Sequence, residues 1–203
     1  MLKRKMLSHD RYANYTPELY AKQGIMTYLC RRPSDRKLIP EILRIKGKSI
    51  LDVGLGTGDY TRLLLADNRV VGVDQNPHLC QLPITVYKGD ATELSSLVGQ
   101  EKFDIVLSTW MTDFLNREKL QRFFCESKEV LRDGGKLMTT VIRPIGWGLV
   151  YLFLARFVRG VDKHACSTRC VVKMLRVAGF NEINIVNLNS WLGVSWACLV
   201  IAK

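Results

Sequence analysis

Short apolar segments alternate with longer amphipathic segments along the chain from residue 49 onward. The short ones have the length of buried strands, and the longer ones repeat their apolar positions at helical spacing. The pattern predicts seven strands, over residues 49–53, 69–73, 84–87, 103–107, 136–142, 183–188 and 196–201. Strands that alternate with helices predict a parallel, doubly wound α/β sheet. No helix separates the last two strands, so we expect a hairpin there and an antiparallel final strand.

Capping residues predict where several helices begin and end. A glycine turn after the first strand is expected to lead into a helix through residues 63–65. Asn116 is expected to cap a helix that Asp133-Gly134-Gly135 ends, and Thr168 to cap a helix that ends at Gly179. Residues 1–48 are predicted to form one or two helices, over residues 20–29 and 38–43, laid over one edge of the sheet.

Charge is distributed unevenly along the 203 residues. The chain has 30 Lys and Arg against 19 Asp and Glu, a formal net charge of +11. Residues 1–48 carry +8 and residues 143–176 carry +6, whereas residues 49–142 carry −3. This asymmetry favours an anionic partner, either a membrane surface or a nucleic acid, that meets the two basic segments. A composition of 47% hydrophobic and 24% charged residues is typical of a globular protein.

The cysteines and the apolar runs indicate a compartment. No apolar stretch of signal-peptide length follows the basic start of the chain, so we expect the six cysteines to be free thiols in a reducing compartment. The run at residues 145–155 is too short to span a bilayer. His164, Cys166 and Cys170 lack the second half of a zinc site, so no metal is predicted. The expected localisation is cytoplasmic, with contact at a membrane surface.

The glycine turn at residues 54–58 marks the candidate ligand site, because open parallel sheets bind ligands beyond the carboxyl ends of their strands. A nucleoside triphosphate site would need a lysine here, and none is present. A dinucleotide site would need the third glycine one residue later, and its pyrophosphate would lie between Asp52 and Asp59. These two acids instead favour a ligand with ammonium and sulfonium charges, such as S-adenosylmethionine.

Two further acids follow successive strands of the predicted sheet. Asp74 ends the second strand, from where a carboxylate can accept both hydroxyls of an adenosine ribose. Asp90 follows the third strand and is expected to accept from the adenine amino group, with the Ala91 backbone beside it. Acids at three successive strand ends favour an adenosine-containing ligand over three unrelated loop residues.

The same motifs carry a family resemblance. The turn reads LDVGLGTG at residues 51–58, and Asp74, GDA at residues 89–91 and LRDGG at residues 131–135 follow it. Together they resemble the class I S-adenosylmethionine-dependent methyltransferases of the small-molecule and lipid type. The resemblance covers roughly residues 45–142 and implies a strand order of 3-2-1-4-5-7-6, with the seventh strand antiparallel. It implies S-adenosylmethionine as cofactor, held by Asp52, Gly54, Gly56, Gly58, Asp74, Gln75, Asp90, Ala91, Ser108 and Thr109.

The residues expected to contact the methyl acceptor are less diagnostic than the cofactor motifs. The segment at residues 108–114 lacks both the proline-rich signature of base N-methyltransferases and the metal ligands of catechol-type O-methyltransferases. His164 is predicted to act as a catalytic base or to contact the methyl acceptor, because it lies on the side of the sheet where the parallel strands end. Tyr12, Tyr15 and Tyr20 resemble the tyrosines of the lid helix in small-molecule and lipid methyltransferases, which implies Tyr15 as a second catalytic residue and Tyr12 and Tyr20 as acceptor contacts. Trp110 and Asp113, after the fourth strand, and Trp147, in the apolar run, are further predicted acceptor contacts.

Two segments are therefore predicted around the acceptor. Residues 1–48 would form a basic helical lid on a methyltransferase domain at residues 49–203, and residues 143–167 would form a basic, apolar insertion facing the acceptor or a membrane. An apolar body flanked by cations favours an amphiphilic acceptor, such as a phospholipid headgroup, a quinone or a related lipid. The alternatives are an RNA methyltransferase, with nucleic acid as the less favoured partner, and a binding module that keeps the cofactor but has lost transfer.

Overall fold

A seven-stranded sheet forms the centre of the protein. The computed structural model describes residues 24–157, 163–189 and 195–203. The strands are β1 (Ser49–Val53), β2 (Arg69–Asp74), β3 (Val86–Lys88), β4 (Phe103–Ser108), β5 (Leu131–Ile142), β6 (Ile183–Asn187) and β7 (Ala197–Ala202). Their order is β3-β2-β1-β4-β5-β7-β6, and only β7 runs antiparallel to its neighbours. The predicted α/β sheet, its strand order and its antiparallel last strand are confirmed.

Helices cover both faces of the sheet. They are α1 (Gly24–Leu43), α2 (Leu94–Val98), α3 (Arg117–Val130), α4 (Trp147–Phe157) and α5 (Thr168–Val177), with short 3-10 turns at Thr61–Leu63, Pro77–Leu79 and Thr112–Phe114. One face buries Phe123 and Phe124 of α3 together with Leu175 of α5. The other buries Leu38 and Ile42 of α1. The two layers leave the carboxyl ends of the parallel strands at one edge.

The helix predicted through residues 63–65 is wrong. The chain forms only a 3-10 turn there, and one interaction explains why it stops. The side chain of Asn68 donates to the carbonyl oxygen of Leu64 at 3.0 Å and to that of Ile45 at 2.8 Å. A continuing helix would need the Leu64 carbonyl for its own backbone, so the side-chain amide ends the turn before β2.

Two predicted helix ends are also displaced. Asn116 caps α3 as expected, but α3 ends at Val130 and β5 begins at once, before the glycines that were predicted to stop the helix. Ser167 caps α5 in place of Thr168, because its hydroxyl accepts from the Cys170 N–H at 3.3 Å. These shifts of one to three residues leave the topology unchanged.

The basic segment at residues 1–48 is described only from residue 24. Within it, α1 is one helix that contains Pro33 and Pro40, whose rings usually break helices. Leu38 and Ile42 are fully buried against the sheet, and this packing holds the helix together despite the prolines. The second half of the predicted lid is thus part of the core, whereas residues 1–23, which carry Tyr12, Tyr15 and Tyr20, lie outside the described residues.

Candidate functional site

The loop after β1 turns on three glycines in the left-handed backbone region. Their φ angles are +72° at Gly54, +57° at Gly56 and +79° at Gly58. A Cβ atom on Gly54 would lie 2.3 Å from Cγ of Met111, and one on Gly58 would lie 2.6 Å from Cδ1 of Leu82. Both the backbone conformation and the close contacts therefore favour glycine at the edge where open parallel sheets bind ligands.

Asp74, at the end of β2, holds this loop in place. Its Oδ2 atom accepts from the Gly56 N–H at 2.9 Å, and its Oδ1 atom accepts from the Asn76 N–H at 2.8 Å. The carboxylate is buried, and each of its oxygens keeps a second lone pair. Asp74 can therefore order the glycine loop and still accept from ligand hydroxyl groups.

Asp52 is a buried carboxylate with one unsatisfied oxygen. Its Oδ2 atom accepts from the Thr61 hydroxyl at 2.6 Å, whereas Oδ1 has no hydrogen-bond partner among the described residues. Burial raises the pKa of Asp52 to about 7; the Thr61 hydrogen bond opposes this rise, and the nearby charge of Asp74 adds to it. A ligand cation beside Oδ1 would favour the ionised form and satisfy that atom.

Asp90, after β3, sits in a hydrogen-bonded cluster. It accepts from the N–H and the hydroxyl of Thr92 at 3.0 and 2.9 Å, from the Gln75 amide at 3.0 Å and from Lys119 Nζ at 3.2 Å. Burial raises the pKa of Asp90, but the bonds from Thr92 and Lys119 outweigh it, so the net shift is downward. The structure thus brings the predicted Gln75 and Asp90 together, with Ala91 buried beside them.

The end of β4 leads into a strained turn. Ser108 is fully buried, and its hydroxyl has no hydrogen-bond partner among the described residues, while Thr109 beside it is also buried. Trp110 has a φ of +58°, rare for a residue with a side chain. Its backbone N–H donates to Thr140 Oγ1 at 2.6 Å, and its indole N–H donates to the Tyr60 hydroxyl at 2.8 Å. These bonds hold Trp110 in the strained conformation.

The next turn carries a buried ion pair. Asp113 accepts through Oδ2 from Lys163 Nζ at 2.5 Å and from the Tyr151 hydroxyl at 3.2 Å. The main-chain oxygen of Asp113 accepts from the N–H of His164 at 2.6 Å. The insertion at residues 143–167 is therefore anchored to the turn that follows β4.

The structure describes only some of the other predicted catalytic and acceptor residues. The His164 side chain is exposed, although its backbone lies against Asp113, and Trp147 is exposed on α4. Tyr12, Tyr15 and Tyr20 lie outside the described residues. The catalytic roles of His164 and Tyr15 and the acceptor contacts stay predictions.

Sequence reasoning missed the side chains that satisfy or neutralise the acids. Thr61 bonds Asp52, Lys119 pairs with Asp90, and Lys163 pairs with Asp113. Each partner lies between 9 and 50 residues away along the chain. No local spacing links them, so only the folded topology could have found them.

The buried carboxylates of the site match polar and charged groups that S-adenosylmethionine carries. Asp52 offers an unsatisfied buried oxygen to an ammonium group, and Asp74 offers lone pairs to ribose hydroxyls. The four acceptor positions of Asp90 are already taken by Thr92, Gln75 and Lys119, so an adenine amino group would have to replace one of these donors. No group of three or more His, Cys, Asp or Glu side chains in the described ranges is arranged to hold a metal ion.

Comparison with known proteins gives the same family. Residues 51–139 match a family described as a methyltransferase domain. The chain is similar to an uncharacterized methyltransferase from Anoxybacillus flavithermus, with 24% identity over 108 residues, and the alignment spans 50% of each chain.

Two solved structures share the fold. A SAM-dependent methyltransferase from Archaeoglobus fulgidus superposes with a TM-score of 0.69 and 19% identity, over 89% of this chain and 95% of that one. Magnesium protoporphyrin IX methyltransferase from Synechocystis, with bound SAH, gives a TM-score of 0.64 and 15% identity, over 89% and 87%. Residues 51–139 therefore form an S-adenosylmethionine-dependent methyltransferase domain, on the fold that these solved structures share.

Proposed function

We propose that the protein transfers the methyl group of S-adenosylmethionine to an amphiphilic small molecule, such as a phospholipid headgroup, a quinone or a related lipid, at an anionic membrane surface. The observation that supports this most strongly is the outward face of α4. Five large apolar side chains are 40–58% exposed there and just before it: Ile145, Trp147, Leu149, Val150 and Phe153.

The inward face of α4 packs tightly, which fixes the outward face. A Cβ atom on Gly148 would lie 2.1 Å from the carbonyl oxygen of Arg143, so the helix approaches that backbone closely. Tyr151 stacks on Trp196 with ring centroids 6.2 Å apart. Because this side is committed to the protein, Leu149 and Val150 on the other side are exposed.

A bilayer interface offers a favourable environment to such a helix. Full burial of one large apolar side chain is worth about 1.5–3 kcal/mol, so insertion of these five side chains into the interface would favour association. Arg156, exposed at the end of α4, lies where an anionic headgroup would add attraction. Among the described residues, none of the helices has the length and apolar character that a membrane span requires.

In this proposal the protein's own groups bind, orient and exclude water. S-adenosylmethionine supplies a methyl group already activated by sulfonium, and Asp52, Asp74 and Asp90 would hold it. The turn at Ser108–Phe114 and the insertion at residues 143–167 would position the acceptor. A general base is not required for every acceptor atom, so the proposal does not depend on one.

Three measurements test the proposal in order. Calorimetry should show binding of S-adenosylmethionine, and sedimentation with vesicles of phosphatidylglycerol and phosphatidylcholine should show association. Tritiated cofactor over a cell extract, sorted into lipid, RNA, protein and small-molecule fractions, should label lipid. Absence of cofactor binding would overturn the whole proposal, whereas binding without label in any fraction would favour the non-catalytic module.

A second candidate, an RNA methyltransferase, is supported by the surface shared by α3 and α5. Five exposed cations line two grooves of about 610 and 520 Å³ there: Arg117, Arg122, Arg169, Lys173 and Arg176. Exposed cations elsewhere, such as Arg69 and Arg132, pair with a carboxylate, but none of these five has such a partner among the described residues. Salt-sensitive binding of transfer RNA without vesicle association would favour this candidate.

A further inference from the structure

The ammonium group of Lys163 is enclosed by a carboxylate and two aromatic rings. Its Nζ atom lies 2.5 Å from Asp113 Oδ2, 3.5 Å from the centroid of the Phe114 ring and 5.5 Å from that of Tyr151. The Lys163 side chain is 9% exposed and that of Asp113 is 2% exposed. We refer to Asp113, Phe114 and Tyr151 as the ammonium cage.

The cage has the chemistry of a site for organic cations. A carboxylate supplies charge, and the faces of aromatic rings attract a cation with a strength that increases as water is excluded. The Oδ1 atom of Asp113 is buried and has no hydrogen-bond partner among the described residues. Asp113 can therefore accept a hydrogen bond at Oδ1 in addition to those that Lys163 and Tyr151 donate to Oδ2.

The ammonium cage lies beside the glycine loop at residues 54–58. Asp113 lies two residues beyond Met111, whose side chain packs against Gly54. Its main-chain oxygen also accepts from the His164 N–H. Lys163 belongs to the insertion at residues 143–167, which is predicted to face the acceptor. The protein's own ammonium group therefore fills a cation site at the edge of the sheet where the acceptor is expected.

We propose that the ammonium cage is the subsite for an ammonium-bearing acceptor headgroup, and that Lys163 is an internal occupant which the acceptor displaces. This inference rests on the proposed methyltransferase function and narrows its acceptor to amines and their partly methylated forms. Only the neutral amine carries the lone pair that accepts a methyl group, so the bound headgroup nitrogen must release one proton before the N–C bond forms and the methyl–sulfur bond breaks. The Oδ1 atom of Asp113, which accepts no hydrogen bond from the described part of the chain, is the acceptor for that proton. Exchange of one ammonium for another keeps the ion pair and the ring contacts in place. Lys163 regains its hydration on leaving, but as a tethered competitor it weakens the binding of every incoming ammonium group.

Removal of the internal occupant provides the first test. The variant Lys163→Ala leaves Asp113 without its ammonium partner, and added ethylammonium chloride should raise its Tm in a saturable way. Potassium chloride and ethanol at the same concentrations should not, and wild type should respond weakly because Lys163 fills the cage. In the double variant with Asp113→Asn the ethylammonium effect should disappear. An equal response of wild type and both variants would overturn the proposal.

Wild-type protein and a second variant give the test that does not depend on how Lys163→Ala folds. With vesicles containing phosphatidylethanolamine and phosphatidylglycerol, tritium from the labelled cofactor should appear in the ethanolamine lipid. Asp113→Asn should raise the apparent KM for that lipid by about tenfold or more, while cofactor affinity by calorimetry stays unchanged. Where Lys163→Ala folds, it should lower this KM, because the competitor is gone.

The outcomes separate this inference from the proposed function. If Lys163→Ala and Asp113→Asn lose activity in parallel, the pair is a structural tie and the cage is not an acceptor site. Label in a quinone or another lipid without an amine would overturn the cage but retain the methyltransferase. Absence of cofactor binding would overturn both.

Discussion

Asp52 shows how a single buried carboxylate can link the stability of this protein to its cofactor. Its folded-state pKa of about 7 lies above the value of about 3.9 expected in an unfolded chain. The folded state therefore binds this proton more tightly, and the Asp52 contribution to stability decreases as the pH rises from about 4 to about 7. The charge that destabilises the free protein is the charge a cationic ligand would need.

We predict opposite effects of Asp52→Asn on stability and on binding. At pH 8 the variant should have a higher Tm than wild type, because no charge is buried, and at pH 4 the difference should vanish. Affinity for S-adenosylmethionine at pH 8 should fall by about tenfold or more, since a charge-assisted interaction is lost. Thermal melts at both pH values and calorimetry measure the two effects.

The matched control is Asp59→Asn, which removes an exposed carboxylate from the same loop. It should change Tm by little at either pH. If Asp52→Asn melts below wild type at pH 8, the wild-type Asp52 carboxylate stabilises the free protein, which contradicts the prediction that its charge is destabilising.

The glycine loop allows a second matched comparison. Gly54 and Gly47 have similar left-handed φ angles, +72° and +64°, but a Cβ atom meets Met111 at Gly54 and nothing within 4 Å at Gly47. Gly47→Ala should therefore cost about 1 kcal/mol of unfolding free energy from backbone strain alone. Gly54→Ala should cost more and should also weaken cofactor binding. Chemical denaturation and calorimetry measure both.

Adding Met111→Ala to Gly54→Ala tests the origin of the extra cost. If the side chain of Met111 causes it, the double variant should be more stable than the sum of the single effects predicts. Additive losses would place the strain in the backbone only.

At the scale of elements, α4 joins a fixed inner face to an exposed apolar outer face. We expect the double variant Trp147→Ser, Phe153→Ser to lose most of its sedimentation with phosphatidylglycerol vesicles while its Tm and cofactor affinity stay near those of wild type, because both side chains are largely exposed. Val177→Ser on α5 is the control, since Val177 is 68% exposed but lies on another helix. Equal loss with Val177→Ser would indicate nonspecific adsorption.

The elements also show where sequence patterns suffice. The central strands were predicted because their apolar runs are buried on both faces, as β1 is throughout its length. The absence of a helix after Thr61 could not be predicted, because it depends on Asn68, whose side chain also donates to the carbonyl oxygen of Ile45 in the loop before β1. The acids of the cofactor site were predicted from strand ends, whereas their partners depend on contacts between distant segments.

For the whole molecule, the N-terminal segment tests whether the fold and the acceptor site are separable. Deleting residues 1–20 should leave cooperative melting intact, because the buried part of α1 begins beyond them, at residues such as Leu38. Cofactor affinity should fall modestly and transfer to the natural acceptor by orders of magnitude, if this basic segment closes over the site as predicted. Calorimetric melting and tritium transfer measure these effects.

Either of two results would contradict the lid prediction. Loss of cooperative melting would make residues 1–20 a structural part of the fold. Unchanged transfer by the shortened protein would show that the acceptor site is complete without them.

The side chain of Trp110 links the turn after β4 to helix α1 through two successive hydrogen bonds. Its indole proton is bonded to Tyr60, whose hydroxyl donates to Asp35 of α1 at 2.7 Å. Exchange of that proton requires its bond to Tyr60 to open, so its hydrogen-exchange rate reports how often this contact, which Asp35 of α1 also holds, opens. A ligand that slows the exchange binds the closed form more tightly, and one indole NMR resonance is then enough to follow the coupling between helix and site.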